Sequence, residues 1–176
     1  MKKKMDKNKG IFFRVSGLPG SGKTRIGKKL LPKIKKLYGP TVMWSGDDFR
    51  RIFQNRKYDL KGRNEFGRMV INFLSLINSQ SINIIFATVG LNNEIRRYFK
   101  KNIKNYIEIF IDADLKMLKK MNVRKFYNNG SKNVWGNDIK PEFPKNPDIK
   151  IRNNFTKKID FLANKVLKKI ENIINQ

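Results

Sequence analysis

Apolar and polar positions along the chain alternate between two periods. The apolar stretch Ile11–Val15 has the length of a strand and is followed by a Gly-rich turn. From Thr24 to Tyr38 the apolar residues Ile26, Leu30, Leu31, Ile34 and Leu37 fall at helical spacing, which predicts a helix that Pro32 should kink or end early. A second strand is expected over Thr41–Trp44, then a turn Ser45-Gly46-Asp47-Asp48 and a short helix through Phe53. The same reading predicts helices over Arg63–Ile77, Asn93–Lys101 and Leu115–Phe126, interleaved with strands over Ile82–Ala87 and Tyr106–Ile111. The stretch Tyr127–Asp148, rich in Asn, Gly, Pro and Lys, has no periodicity and is expected to be a long binding loop or lid. A last strand over Ile149–Ile151 and a closing helix over Thr156–Ile174 complete the pattern. Strands alternating with helices imply an α/β fold, a three-layer α/β/α sandwich around a mainly parallel five-stranded sheet. The expected organisation is a basic tail, 1–10, and one domain, 11–176.

Composition narrows the chemistry. The 176 residues include no cysteine and no histidine, which excludes disulfides, thiolate and imidazole metal sites, and Ser-His or Cys-His dyads. A general base must be Asp, Glu, Lys or Tyr, and the common catalytic metal that the remaining oxygen ligands suit is Mg²⁺. The formal charge of +26 points to an anionic partner and to nothing narrower, and the scattered lysines read mostly as solvated surface. No long apolar run or secretory h-region is present, so a cytoplasmic protein without membrane contact is expected.

One motif carries specific chemistry. Gly17-Leu18-Pro19-Gly20-Ser21-Gly22-Lys23-Thr24 matches G-x-x-x-x-G-K-[ST] between a predicted strand and a predicted helix. Glycines there let successive N–H groups converge on a polyanion at the positive end of the helix. Lys23 would reach the β- and γ-phosphates of ATP and the Thr24 hydroxyl would hold Mg²⁺. The chain lacks the guanine-reading N-K-x-D, and its short length favours a small kinase among the P-loop NTPases. A second constellation, Ser45-Gly46-Asp47-Asp48-Phe49-Arg50-Arg51, places Asp47 just past a strand end, where ligands of open α/β sheets bind. Asp47 can take a proton from an attacking hydroxyl or hold a magnesium-bound water, while Arg50 grips an anion. Asp47 as a helix N-cap is the competing explanation.

Taken together these segments resemble the adenylylsulfate kinase family from about Ile11 to about Asn153, which implies a small nucleoside-kinase-like P-loop NTPase fold. The family loop G-L-S-G-S-G-K-S/T is followed with Pro19 in place of serine, and D-G-D-x-x-R corresponds to Ser45–Arg50 with the first acid lost. F-S-x-x-D-R-x-E-N is similar to Tyr58–Phe66, keeping Arg63 and Glu65. The family's base-stacking phenylalanine falls on Val134, with Trp135 next to it, and its basic lid is reduced to Met121–Tyr127. A divergent branch associated with surface-polysaccharide clusters, which includes cytidine diphosphoramidate kinase, is similar at Lys132–Asp138 and Phe143–Asp148.

The resemblance implies transfer of the γ-phosphate of Mg-ATP to the ribose 3′-hydroxyl of a small anionic nucleotide, adenylylsulfate first and cytidine diphosphoramidate as the alternative. It implies catalytic roles for Lys23 and Asp47, a nucleotide contact for Arg124, and acceptor contacts for Asp47, Arg50, Tyr58, Arg63, Lys132 and Trp135. Each acceptor residue has a plainer explanation: surface charge for the arginines and Lys132, core packing for the aromatics. A homodimer is implied by analogy with the family. Two other classes stay open, a nucleotide-binding module without catalysis and a nucleic-acid-binding protein, although no helix-turn-helix or stacking motif supports the latter.

Overall fold

The structure is a computed structural model that describes residues 5–121, 127 and 132–175. Five strands, β1 (Phe12–Ser16), β2 (Thr41–Ser45), β3 (Asn83–Thr88), β4 (Tyr106–Asp112) and β5 (Ile149–Arg152), form one sheet in the order β2-β3-β1-β4-β5. Every pairing is parallel. The connecting helices are α1 (Lys23–Tyr38), α2 (Gly46–Ile52), α3 (Leu60–Ser79), α4 (Asn93–Asn102), α5 (Leu115–Met121) and α6 (Ile159–Ile174). The predicted three-layer α/β architecture and its five parallel strands are therefore present.

Strand alternation divides the core in two. Phe13 and Val15 of β1, with Ile85, Ile107 and Ile109, pack under Ile26, Leu30 and Ile34 of α1 and Val166 and Ile170 of α6. Phe12, Ile84 and Phe86 face the other way, against Phe66, Val70 and Leu74 of α3 and Ile95 and Phe99 of α4. Strands buried on both faces read as mostly apolar runs, here broken only by single charges in β1 and β4, which is why the central ones were predictable to within a residue.

Three helices differ from expectation, and a fourth cannot be followed to its expected end. Helix α1 runs unbroken through Pro32; that position is exposed, so water can serve the carbonyl freed by the missing N–H. Helix α3 begins three residues early because the Asp59 carboxylate accepts from the Gly62 N–H at 2.9 Å. Helix α6 begins at Ile159, beyond Thr156. The carbonyl oxygen of the Asn153 side chain accepts from the Phe155 N–H and that of Asn154 from the Thr156 N–H, and these local turns compete with helix in the intervening residues. Helix α5 is described to Met121, and its expected continuation to Phe126 lies outside the described residues. The basic segment Met5–Gly10 is pinned under the sheet: Asn105 donates to the Asp6 and Lys9 carbonyls, and Gly10 N–H donates to Asn78. Among the described residues no helix is long and apolar enough to cross a membrane.

Candidate active site

The phosphate loop follows β1 directly. Gly17 must lack a side chain, since a Cβ there would lie 2.6 Å from the Ile111 carbonyl oxygen and 2.8 Å from Ser21 Oγ. Gly22, immediately before α1, has φ 93°, the left-handed region open to glycine. Leu18 is buried with Leu91, Phe110 and Trp135, anchoring the loop by an apolar side chain. The Lys23 ammonium is almost buried and donates to the Leu18 carbonyl at 2.6 Å across the loop. Ser21 Oγ is buried without a hydrogen-bond partner. The loop is tied down from outside by Tyr127, whose hydroxyl donates to the Pro19 carbonyl at 3.0 Å, and by Asn153, whose amide donates to the Ser21 carbonyl at 3.0 Å.

One cavity of about 790 Å³ joins this loop to the second constellation. Pro19, Gly20, Gly22, Lys23 and Thr24 line it from the loop side, while Gly17, Leu18 and Ser21 stand behind its wall. Asp47, Arg50, Tyr58, Arg63, Lys132 and Trp135 all line the same space. Arg124 lies outside the described residues. Asp47 sits in the first turn of α2, but the cap is made elsewhere. Ser45 Oγ accepts from the Asp48 N–H, and the Asp48 carboxylate accepts from the Ser45 N–H at 2.8 Å and the Ser45 hydroxyl at 2.7 Å. The N-cap explanation for Asp47 is thus replaced by a Ser45–Asp48 capping box. Asp47 is the one carboxylate among the described residues that line the cavity, against lysines and arginines on every wall.

Arg50, Tyr58 and Arg63 form a ladder. The Arg50 guanidinium lies 4.2 Å and that of Arg63 5.3 Å from the Tyr58 ring centroid, and Arg63 lies 5.7 Å from the Trp135 ring. Their forks also organise backbone. Arg50 Nη1 donates to the Asn55 side chain at 2.8 Å and the Lys57 carbonyl at 3.0 Å. Arg63 donates to the Tyr58 carbonyl at 2.5 Å and the Asn133 carbonyl at 2.6 Å. Burial, then the like charge of Arg50, pushes Arg63 down to about 10, against the attraction of Tyr58, Asp138 and Asp59. Burial likewise lowers Arg50, opposed by Tyr58 and Asp47. Two cations held together at such cost are the electrostatic complement of an anion. Tyr58 is half exposed, whereas Trp135 is packed into the third apolar cluster.

Sequence reasoning missed the rear of the donor side. Asn153 is buried, and Phe155, Lys157 and Lys158 line the cavity beside Gly22 and Thr24. They lie in a short irregular connection, where no periodicity marks them. It also missed Arg14, Arg96 and Glu108, which are buried together. There a signal existed: single charges interrupting the strands Phe-Phe-Arg-Val-Ser and Tyr-Ile-Glu-Ile-Phe-Ile-Asp.

The residues fit a magnesium nucleotide. Among the described residues no cluster of three or more acidic, His or Cys side chains could hold a metal by itself. Mg²⁺ suits such a site, because it keeps several waters and takes one or two protein oxygens plus substrate phosphates. Thr24 would supply a hydroxyl, Asp47 a carboxylate through water, and Lys23 a cation for the phosphates.

The sequence profile described as adenylylsulphate kinase matches residues 9–152. The chain is 34% identical to cytidine diphosphoramidate kinase of Campylobacter jejuni, over 91% of this chain and 98% of that protein. It is 24% identical to the adenylyl-sulfate kinase of Gloeothece citriformis, over 95% and 97%. In fold it is similar to the Mycobacterium tuberculosis APS kinase solved with AMPPNP and APS (TM-score 0.80, 21% identity, 93% of this chain and 98% of that one). It is also similar to Acinetobacter baumannii shikimate kinase (TM-score 0.62, 14% identity, 94% and 95%). The expected family is confirmed together with the P-loop kinase fold: the chain is a phosphotransferase that belongs to the adenylylsulphate kinase family.

Proposed function

We propose that this protein transfers the γ-phosphate of Mg-ATP to the ribose 3′-hydroxyl of a small anionic nucleotide. The observation that carries the reading is the position of Asp47 in one cavity between the phosphate loop and the Arg50–Tyr58–Arg63 ladder. In the reaction the hydroxyl oxygen bonds to the γ-phosphorus as the bond to the bridging oxygen of ADP breaks, and the hydroxyl proton passes to Asp47. Lys23 neutralises the transferring group, to which a Mg²⁺ ion held at Thr24 would add its charge, while Arg50 and Arg63 hold the acceptor's anionic groups. The reaction belongs in the cytoplasm, where ATP is supplied. Assembly as a homodimer is part of the reading, and light scattering of the purified protein tests it.

Adenylylsulfate is the acceptor that the family's name suggests. Cytidine diphosphoramidate is favoured by the higher identity to the kinase of that name, 34% against 24%. The departures from the family on the acceptor side point the same way: Val134 stands where a stacking phenylalanine would be, and Trp135 packs into the core. The test offers purified protein, Mg-ATP and each acceptor in turn, reading ADP release and product mass. Phosphorylation of cytidine diphosphoramidate at least tenfold faster than of adenylylsulfate is expected. The reverse preference overturns the acceptor, and ATP binding without consumption in either case overturns the kinase.

A further inference from the structure

A buried charge cluster behind the acceptor wall is not used by the chemistry above. Arg14, in the middle of central strand β1, is fully buried, and its guanidinium lies 4.8 Å from the Phe99 ring. Its Nη1 donates to Glu108 Oε1 at 2.9 Å and to the Tyr106 hydroxyl at 3.3 Å, while Nη2 donates to the Gly90 carbonyl. Arg96 of α4 donates to the same Glu108 oxygen at 3.1 Å and to the Glu142 carbonyl at 2.6 Å. Glu142 N–H in turn donates to the Leu91 carbonyl at 2.8 Å. One carboxylate oxygen therefore fixes two guanidiniums, and each spends its outer fork on a loop carbonyl.

Such a cluster is a poor way to stabilise a core, because desolvating charges offsets most of what their attraction gains and well-packed apolar residues commonly do as well. Apolar side chains could not, however, hold the Gly90 and Glu142 carbonyls. Gly90 lines the cavity, with φ 34°; a Cβ there would meet Arg14 Nη2 at 2.8 Å and Thr88 Oγ1 at 3.6 Å. Thr88 in turn abuts Gly46, the neighbour of Asp47: a Cβ on Gly46 would lie 3.4 Å from Thr88 Oγ1. A line of neighbouring residues thus runs from Arg14, which holds the Gly90 carbonyl, past Thr88 to the residue beside the reacting carboxylate.

We propose that Arg14, held by Glu108 and Arg96, is a positioning residue for the acceptor. It sets the wall at Gly90, and with it the distance of the acceptor hydroxyl from Asp47, without touching substrate. The inference rests on the function proposed above. Its test compares Arg14→Met, Arg14→Lys and Gly90→Ala with wild type, using ATP and the acceptor that wild type turns over, with thermal melting to verify folding. KM for the acceptor should rise tenfold or more in Arg14→Met and Gly90→Ala while KM for ATP stays within twofold, and Arg14→Lys should recover part of the loss. Gly90→Ala perturbs the same wall from the loop side and keeps the test decisive if Arg14→Met does not fold. Folded variants with unchanged acceptor KM, or with both KM values raised in proportion, overturn the positioning role. A wild type that consumes ATP with neither nucleotide removes the proposed function first and this inference with it.

Discussion

The two halves of the cavity are built by opposite means. The donor half is a backbone device, in which contiguous residues between β1 and α1 turn on glycines, so that local sequence determines where the amides and Lys23 stand. The acceptor half is largely a side-chain device assembled from α2, the loop before α3, α3 itself, the loop after β3 and the loop after α5. Its cations are committed to loop carbonyls near Asn55, Lys57, Tyr58 and Asn133. A backbone cradle accepts any triphosphate and changes little when neighbours change. A ladder of side chains can be retuned residue by residue, which suits a family in which the donor is constant and the acceptor varies.

The sharpest way to break that contrast is at the meeting point. Asp47→Asn should lower kcat by about 10²–10⁴, with ATP affinity within twofold of wild type and an unchanged melting temperature. Lys23→Ala should lower kcat by about 10²–10³ and also weaken binding of a non-hydrolysable ATP analogue, since its ammonium belongs to the donor side. Equal losses of ATP affinity in both variants would show that the halves are not separable.

Arg63→Met addresses the acceptor alone. Charge-assisted hydrogen bonds contribute about 1.5–3 kcal/mol, so acceptor KM should rise roughly 10- to 150-fold while KM for ATP holds. The sign of the pH dependence follows from the folded value of about 10. Arg63 is charged below it and loses its proton above it, so wild-type acceptor KM should be flat through neutral pH and climb above about 10. The Met variant should lack that rise.

A smaller effect is expected where the donor cradle leans on a side chain. Asn153→Ala removes the bond to the Ser21 carbonyl and the turn at Phe155, which should cost about 1–3 kcal/mol of stability. KM for ATP should rise several-fold and KM for the acceptor should not. A rise confined to the acceptor would contradict the division drawn here.

The same division explains what could be read from the sequence. The strands and the phosphate loop were legible because their causes are local: mostly apolar runs and one spaced motif. Arg50 could be nominated from its place one turn beyond Asp47, but Tyr58, Arg63, Lys132 and Trp135 only through resemblance, since residues so far apart in sequence carry no local sign that they share a cavity. Trp135 shows the limit of that route, being placed at the site's wall yet packed into the core. Asn153 had no sign at all. The start of α6 was misplaced because consecutive asparagine side chains, at Asn153 and Asn154, outcompete helix for the N–H groups that follow them.

The smallest expected effect tests whether the acceptor half is held by its caps. Burial by itself would raise Asp48, but the Ser45 hydroxyl and then the Ser45 N–H, with Arg51 and Lys28 nearby, outweigh it and hold the carboxyl below its usual range. A lowered folded value means that the ionised carboxylate stabilises the fold above its ordinary pKa of about 3.9. That contribution is lost as pH falls through the lower folded value. The Asp48 side chain is 40% exposed, so solvent screening limits the electrostatic part, and the loss in Asp48→Asn should be about 0.5–1 kcal/mol near neutral pH. Acid melts should therefore converge for wild type and variant as the carboxyl protonates. Because α2 carries both Asp47 and Arg50, a frayed first turn should raise acceptor KM by no more than a few-fold and leave KM for ATP unmoved. A variant that melts like wild type at every pH would mean that packing of Phe49 against Trp44, Phe73 and Phe86 holds α2 in place without its cap.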